Sequence, residues 1–466
     1  MSSHPAPVFD ADLIARYDIH GPRYTSYPTA PEFDTRFGEA DYREAARASN
    51  EDPIPRRLSV YVHVPFCFSP CFYCGCARLI TRDRGKADGY LARLHREIEL
   101  TAPLFDRDRQ VVQLHFGGGT PNFLDARQMG ELIDTLARQF SLAGDAAREF
   151  GIELDPREVD AGYVAMLARH GFNRVSVGVQ DFDPAVQAAV NRIQSVEQTR
   201  LVLDAARENG FRSTSVDLIY GLPRQTQAGF AKTLDQVIAL RPDRIAAYGY
   251  AHLPERFKAQ RQIDAAELPS AADRLALLGL TIRTLTDAGY RYIGMDHFAL
   301  PGDELARAQD HGTLQRNFQG YSTHGACDMV GLGMSSIGRV GNAFVQNARD
   351  IVGYYAALDA GRLPVARGLV LDADDRIRGD AIQRIMCDGV IETGPFEARH
   401  QIDFAVYFAR ELARLRALAA DGLVVLSPAR IAVTARGRLL LRIVAMCFDA
   451  YLSHPRDATP GYSKAL

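Results

Sequence analysis

The stretch LSVYVHVPFCFSPCFYCGC, residues 58–76, begins as an apolar strand and continues into a loop that carries four of the chain's seven cysteines. Three of them, Cys67, Cys71 and Cys74, follow the spacing Cys-x3-Cys-x2-Cys, and Cys76 comes one glycine later. Four thiols this close together suit a bound metal group better than a disulfide framework. The other three cysteines are scattered along the chain, and we expect them to be packing residues: Cys327, Cys387 and Cys447.

The spacing within this loop favours an iron–sulfur cluster over zinc. Structural zinc usually takes its ligands in two separated pairs, and no second pair of cysteines matches this loop. Three thiolates can hold a four-iron cluster and leave one iron without a protein ligand, open to a substrate. The sequence therefore predicts a [4Fe–4S] cluster on Cys67, Cys71 and Cys74, and it leaves the role of Cys76 open.

The pattern of a strand followed by a helix repeats along the chain. Amphipathic helical segments separate six predicted strands at residues 58–64, 111–117, 150–155, 174–180, 215–221 and 244–250. Repeated units of this kind give parallel strands joined by right-handed crossovers. The sequence predicts an α/β fold with a partial or complete parallel β/α barrel, and the chemistry of such barrels lies at the carboxyl ends of the strands.

The chain of 466 residues is long enough for two or three domains. We expect an irregular, Pro- and Tyr-rich N-terminal arm over residues 1–52, the barrel with its extension over 53–365, and a mostly helical C-terminal domain over 366–466. The order helix, helix, hairpin, helix in the last region resembles a winged helix. A cap on the barrel is the better expectation, because the net charge of −3 gives no drive towards nucleic acid. Four arginines would form its solvated face: Arg430, Arg436, Arg438 and Arg442.

The composition also bounds the location and partners of the protein. The N-terminus lacks a basic start followed by an apolar run, and no stretch of eighteen apolar residues occurs. The sequence therefore predicts a cytoplasmic protein that binds neither membrane nor nucleic acid, and we expect it to be a monomer.

Nine motifs along the chain, including GPRYTSYPTA (21–30), LHFGGGTP (114–121), ELDPRE (153–158), GVQDF (178–182) and RNFQGY (316–321), give it a family resemblance. With the cysteine loop, they resemble the radical S-adenosylmethionine (SAM) enzymes, and among these the oxygen-independent coproporphyrinogen III oxidases. The resemblance covers nearly the whole chain. It implies a barrel of the radical SAM type and two bound SAM molecules, one on the cluster and one beside it.

The resemblance also implies a reaction. Reductive cleavage of SAM would give methionine and a 5′-deoxyadenosyl radical, which takes a hydrogen from a propionate β-carbon of coproporphyrinogen III. Loss of CO2 and one electron would then leave a vinyl group, and two such reactions would give protoporphyrinogen IX in haem biosynthesis. An electron donor such as a flavodoxin or ferredoxin would be a partner.

Site residues are carried over from the family by position. Tyr61 and Cys76 are the candidate catalytic residues, and His63 is left undecided. The resemblance implies that the following residues contact the two SAM molecules: Tyr61, Tyr73, Gly118, Gly119, Thr120, Glu153, Gln180, Arg192, Asp217, Ala251 and Ile337. Arg23 and Arg316 are candidates for clamping the substrate's propionates, although either could be a surface residue that holds a loop.

Two other classes of protein stay open at this point. One is a radical SAM paralogue that acts as a haem chaperone or on another tetrapyrrole. Such a chaperone generally carries an aromatic residue at the position of Cys76, so the thiol favours the oxidase. The other is a winged-helix regulator whose cluster senses oxygen or iron, which the barrel-like periodicity makes a poorer interpretation.

Overall fold

The computed structural model describes residues 6–144 and 148–453. Residues 1–5 of the expected arm and 454–466 of the expected C-terminal domain lie outside the described residues. The strands are β1 (Leu58–Val64), β2 (Phe66–Cys67), β3 (Leu79–Ile80), β4 (Gln110–Gly118), β5 (Ser141–Leu142), β6 (Glu149–Leu154), β7 (Arg174–Gln180), β8 (Ser213–Tyr220), β9 (Arg244–Gly249), β10 (Arg291–Gly294), β11 (His297–Ala299), β12 (Gln315–Asn317), β13 (Gly320–Ser322), β14 (Asp328–Leu332), β15 (Ile337–Val340), β16 (Ala343–Asn347), β17 (Val365–Val370), β18 (Val390–Glu392), β19 (Val424–Ser427) and β20 (Arg430–Val433).

Helices connect and cover these strands. They are α1 (Ala11–Arg16), α2 (Glu39–Asn50), α3 (Gly85–Thr101), α4 (Ala126–Gln139), α5 (Ala161–Arg169), α6 (Pro184–Ala189), α7 (Val196–Glu208), α8 (Gln227–Leu240), α9 (Ala271–Asp287), α10 (Glu304–Asp310), α11 (Ile351–Asp359), α12 (Ala373–Cys387), α13 (Thr393–His400), α14 (Phe404–Tyr407), α15 (Ala409–Ala420) and α16 (Leu441–Met446).

The six strands predicted from the sequence form the centre of one large sheet. Strands β1, β4, β6, β7, β8 and β9 pair in this order, and every pair is parallel. Strand β14 adds a seventh parallel strand beside β1, and antiparallel strands extend both ends. Within the described residues, the pairing runs from β10 to β17 without closing. The predicted α/β fold is confirmed, and the barrel is a partial one.

Alternation along the strands places polar groups inside the barrel. On β1, Val60, Val62 and Val64 are fully buried in the main core, and the residues between them lie on the opposite face. The interior of a β/α barrel is usually filled by branched apolar side chains. Here polar residues of the parallel strands instead line a cavity of about 150 Å³: Gln113, His115, Glu153, Ser176, Ser215 and Asp217. The barrel interior, called the lumen below, is therefore open to polar ligands.

The N-terminal arm is more ordered than the sequence predicts. Residues 39–50 form the helix α2, whose side chains Tyr42, Ala46 and Ser49 are buried where it packs against β15 and β16. Their spacing of four and three residues is that of one helix face. The expectation of an irregular arm is therefore wrong for this segment, because burial of one helix face outweighs the Pro- and Tyr-rich composition of the residues before it.

The C-terminal region has a core of its own. A three-stranded antiparallel sheet of β18, β20 and β19 packs with α12 to α16, and residues of the arm join the same core. Strand β17 still pairs with β16 of the main sheet, and it ends at Val370. The predicted boundary at 365/366 is therefore wrong, because residues 366–370 belong to a strand of the main sheet, and we propose that the C-terminal domain begins at Leu371.

The expected solvated arginine face is wrong for two of its four members. Arg438 and Arg442 are 2% and 3% exposed, and each donates hydrogen bonds to backbone carbonyls. The other two pair with acids: Arg430 with Glu392 at 3.0 Å, and Arg436 with Asp10 at 2.6 Å. The acceptors of Arg442 are Gly21 and Pro22 of the arm, so this set of arginines includes a tie between the arm and the C-terminal domain.

Candidate active site

The cysteine loop follows β1 and lies at the carboxyl end of the parallel strands. The Arg78 guanidinium donates hydrogen bonds to three carbonyls of this loop, those of Cys71 (3.3 Å), Cys74 (3.0 Å) and Cys76 (3.4 Å). One side chain thus ties together the backbone between the predicted ligands. It leaves the thiols free to bind a metal group.

Each predicted ligand sulfur accepts a hydrogen bond. The donors are Thr120 Oγ1 to Cys67 (3.4 Å), Arg192 Nη1 to Cys71 (3.6 Å) and the backbone N–H of Cys76 to Cys74 (3.4 Å). Hydrogen bonds to the sulfurs are among the factors that set the potential of an iron–sulfur cluster. A hydrogen bond with the Cys76 side chain lowers the pKa of the Cys74 thiol to about 6, whereas burial raises the pKa of Cys67 to about 11.

The predicted donor set is three thiols on one loop, which suits an iron–sulfur cluster. A single ion needs its ligands to converge on one point, whereas each thiolate of a four-iron cluster binds a different iron. Of the other cysteines, Cys387 and Cys447 are buried, as predicted for packing residues, and Cys327 is partly exposed.

His63 links the barrel to the cysteine loop, a role that the sequence left undecided. Its Nε2 lies 2.9 Å from the carbonyl oxygen of Ala77, so this nitrogen carries the proton, and Nδ1 accepts from Tyr61 Oη at 3.2 Å. Burial lowers the pKa of His63, which keeps the imidazole neutral. Tyr90 donates to the carbonyl of His63 at 2.7 Å. The only feature of the sequence that indicated this role was the position of His63 on β1, on the strand face opposite Val62 and Val64.

The glycine motif packs directly against this link. Gly118 has a φ of +114°, and a Cβ built there would lie 2.5 Å from Cε1 of His63. A Cβ on Gly119 would lie 2.7 Å from backbone atoms of Pro65 and Phe66. The N–H groups of Gly119 and Thr120 donate to the carbonyls of Val64 and Phe66, at 2.8 and 2.7 Å. Only glycine allows the two loops to approach this closely.

Two carboxylates line the upper lumen. Glu153 contacts His115 Nε2 at 3.3 Å and accepts from the N–H of Gly118 at 3.4 Å, and its side chain is 46% exposed because it faces the cavity. Burial acts to raise the pKa of Glu153, but the hydrogen bond and charge of His115 outweigh it and lower the pKa. Burial, together with the Glu153 charge, raises the pKa of Asp217 to about 7. Asp217 also accepts from Ser176 Oγ at 3.2 Å.

The raised pKa of Asp217 predicts a pH-dependent stability. As the pH rises from about 4 to 7, the unfolded chain loses this proton while the folded chain keeps it, so the free energy of unfolding falls. The variant Asp217→Asn cannot ionise and should gain stability relative to the wild type over this interval. We expect the difference between their melting temperatures to grow up to about pH 7 and then level off. A constant difference across the range would contradict the raised pKa.

Arg192 is a buried residue, 7% exposed. It lies 3.4 Å from Asp155 and donates to the carbonyl of Gly178 at 2.7 Å. Burial acts to lower the pKa of Arg192, but Tyr73, Asp155 and Cys71 outweigh it and raise the pKa. The guanidinium therefore stays charged beside the cysteine loop. Asp155 also pairs with Arg157, at 2.6 Å.

The remaining residues predicted to contact SAM lie around the rim of the lumen, near the carboxyl ends of the parallel strands. Gln180 ends β7 with a φ of 69°, and its Nε2 and Arg192 Nη2 both lie close to Gly178. Gln260, which the sequence gave no reason to choose, donates from Nε2 to the carbonyls of Tyr73 (2.9 Å) and Ala251 (3.2 Å). Ile337 opens β15 and packs on Gly331, the residue that pairs with Tyr61.

Neither of the two candidate substrate clamps is a fully exposed surface residue. Arg23 is half-buried and forms an ion pair with Asp296, so its charge is already matched. Arg316 is 6% exposed, and its Nε donates to the carbonyl of Arg23 at 3.3 Å. Nη1 of Arg316 is buried with no hydrogen-bond partner within the described residues.

The sheet, the cysteine loop and the acidic lumen are those of a radical SAM enzyme, and residues 61–237 match the model of the Radical SAM superfamily. Residues 371–440 match the HemN C-terminal domain. The chain is 52% identical over 444 residues to the oxygen-independent coproporphyrinogen III oxidase of Pseudomonas aeruginosa, covering 95% of this chain and 96% of that protein. The Escherichia coli protein of the same name is 48% identical over the same shares.

A solved structure agrees with these matches. Coproporphyrinogen III oxidase (HemN) from Escherichia coli, described as a radical SAM enzyme, superposes with a TM-score of 0.91 at 46% identity, covering 96% of this chain and 100% of that one. The chain belongs to the oxygen-independent coproporphyrinogen III oxidase family of radical SAM enzymes, as the motifs indicated. The radical SAM class implies a [4Fe–4S] cluster and SAM. None of the described helices combines the length and the apolar character that a membrane span requires.

Proposed function

We propose that this protein converts two propionate side chains of coproporphyrinogen III to vinyl groups without oxygen, giving protoporphyrinogen IX in haem biosynthesis. The observation that carries the proposal is the three-cysteine loop, with the extra Cys76, above a lumen lined by carboxylates. It occurs in a chain that matches oxygen-independent coproporphyrinogen III oxidases over 95% of its length. A haem chaperone of the same class would need the cluster, but it would not need a site for decarboxylation.

Cys67, Cys71 and Cys74 are proposed to hold the cluster, and Arg78 keeps their loop compact. When bound, the cluster supplies one electron to SAM, whose cleavage gives methionine and a 5′-deoxyadenosyl radical. His63 fixes the end of the loop through Ala77, and Tyr61 orients His63. Cys76 is partly accessible beyond the last ligand, where its thiol can contact the substrate or a second SAM.

We propose that two SAM molecules bind side by side. Tyr61, Gly118, Glu153 and Ile337 would surround the one on the cluster. The Glu153 carboxylate, held ionised beside His115, suits the SAM ammonium group. The second molecule would lie against the other half of the rim, where Arg192 can bind a carboxylate and Asp217 a hydroxyl or amino group. The remaining residues proposed to contact one or other SAM molecule are Tyr73, Gly119, Thr120, Gln180 and Ala251.

The reaction needs a reductant that this chain does not itself contain. We propose a small electron carrier such as a flavodoxin or ferredoxin as the donor, a cytoplasmic location and a monomeric state. The electron consumed in cleaving each SAM equals the electron that each propionate releases on decarboxylation. In this proposal the donor supplies the cluster, and an acceptor takes the electron that the substrate releases.

The test is anaerobic turnover of reconstituted protein with a reductant, SAM and coproporphyrinogen III. We expect two CO2 and two 5′-deoxyadenosine molecules for each protoporphyrinogen IX, because each propionate requires one radical. The product can be separated by chromatography after oxidation to the porphyrin. A protein with its cluster removed serves as the control and should give neither product.

One outcome would contradict the proposal. Formation of 5′-deoxyadenosine without a vinyl product, with an intact cluster and a supplied electron acceptor, would instead indicate a haem chaperone or another radical SAM paralogue. Retention of haem by the protein under these conditions would favour the chaperone.

A further inference from the structure

A second and larger cavity, of about 760 Å³, lies outside the lumen. The arm residues Tyr24 to Tyr27, the hairpin of β12 and β13, and helix α12 contribute to its lining. The hairpin separates the two spaces, because Gln315 and Arg316 line the large cavity while Gln319 and Tyr321 line the lumen. Its volume lies in the range of sites that enclose a whole small molecule.

The lining of this cavity is rich in positive charge. Six arginines and three aspartates contribute to it: Arg56, Arg316, Arg339, Arg376, Arg384, Arg399, Asp375, Asp380 and Asp388. Asp380 pairs with Arg384 and Arg399, both at 3.4 Å, and Arg56 lies 3.8 Å from Asp328. Within the described residues, the other three arginines have no ion pair: Arg316, Arg339 and Arg376.

These three cations differ in how they are held. Arg316 is 6% exposed and stacks over the Tyr321 ring at 4.8 Å, whereas Arg339, 5.7 Å from the Phe344 ring, and Arg376 are exposed. A buried guanidinium without an acid partner is costly, and an anionic ligand would relieve that cost. With six arginines against three aspartates in its lining, the cavity carries more positive charge than its acids balance.

We propose that this cavity binds the carboxylates of a tetracarboxylate tetrapyrrole that are not reacting, through Arg316, Arg339 and Arg376. The inference rests on the proposed function and gives it a substrate site. Arg23 is not one of the proposed clamps, because its charge is matched by Asp296. Guanidinium groups form paired hydrogen bonds with carboxylates, so three of them can hold a flexible anionic ligand in one orientation.

The position of the cavity suits this role. Ser59 lines the cavity and lies four residues before His63 on the same strand, a distance of about 13 Å at the rise of a β-strand. Ser59 donates to Gln113 at 2.8 Å, and Gln113 lines the lumen, so the two spaces share this wall. In this proposal the ligand keeps its non-reacting carboxylates in the cavity and extends its reacting side chain past this wall towards the lumen.

The test is equilibrium binding of coproporphyrin III, the oxidised and unreactive form of the substrate, to the full chain with its cluster. We expect Arg339→Met and Arg376→Met each to weaken binding about tenfold, the loss of one charge-assisted hydrogen bond. Iron content and SAM affinity should stay unchanged. Both side chains are exposed, so these variants should fold even where Arg316→Met does not.

Arg399→Met is the matched control, because Arg399 lines the same cavity but already pairs with Asp380. It should change the affinity less than twofold, as expected for an exposed ion pair. The tetramethyl ester of coproporphyrin III should bind wild type and variants alike. Protoporphyrin IX, with two propionates, should respond less to the substitutions than coproporphyrin III.

Two results would overturn the inference: wild-type affinity in the Arg339 and Arg376 variants, or an equal loss in the Arg399 variant, which would indicate a general charge effect. Failure of the proposed function gives a different result, because wild-type protein would then cleave SAM and produce no vinyl product.

Discussion

Serine in place of Cys67, Cys71 or Cys74 should remove the brown iron–sulfur chromophore and abolish SAM cleavage. Each of these sulfurs accepts a hydrogen bond from a fixed donor, and each is proposed to bind a different iron. A serine hydroxyl is a poor ligand for iron in such a cluster, so loss of one ligand should release it. Iron and sulfide content, the visible spectrum and 5′-deoxyadenosine formation measure the effect.

Cys76→Ala is the matched comparison within the same loop. Cys76→Ala removes the side-chain hydrogen bond to Cys74 but keeps the one from the backbone N–H, and all three proposed ligands remain, so the cluster should be retained. Formation of the vinyl product should nevertheless fall strongly, because the thiol is proposed to act on the substrate or the second SAM. If the Cys76 variant loses iron as completely as the other three, the assignment of three ligands and one further role is wrong.

Gly118→Ala should lower turnover by about 100-fold or more, the effect expected when reacting groups are misplaced by about 1 Å. The new Cβ would lie 2.5 Å from the His63 ring, and the backbone there has a φ of +114°. His63 would have to move, and its bond to Ala77 beside the cysteine loop would break. Cluster content after reconstitution and the rate of 5′-deoxyadenosine formation should both fall.

Gly289→Ala separates backbone strain from this collision. Gly289 also has a positive φ, +90°, but in the part of the chain that the structure describes nothing lies within 4 Å of a Cβ built there. The substitution should cost about 1–2 kcal/mol of stability and leave the activity of the folded protein unchanged. Equal losses of activity in both variants would show that strain alone, and not contact with His63, explains the glycine at 118.

The parallel sheet could be predicted from the sequence because its signals are local. Val60, Val62 and Val64 alternate with polar residues and mark β1, and short strand-like runs separated by amphipathic helical segments mark the five strands that follow. The order of strand ends then indicated where the polar site residues would meet. The family motifs supplied the positions of Glu153 and Asp217, which the structure brings to one lumen.

Features that depend on distant contacts could not be predicted in this way. Arg442 looked like part of a solvated face, yet it is buried because its partners, Gly21 and Pro22, lie more than 400 residues earlier. Gln260 joins Tyr73 and Ala251 from a loop with no recognisable motif. In each case the partner is chosen by the folded chain, and no periodicity in the sequence records it.

The polar lumen makes ligand binding part of the protein's folding energetics. An ordinary barrel fills its centre with its own apolar side chains, but this one presents Glu153, His115 and Asp217 to the cavity. Those groups contribute less to stability alone than a packed core would, and any ligand that binds only the folded state adds to the free energy of unfolding. If the proposed function holds, the cofactor and the substrate take the place of a missing central layer of the barrel.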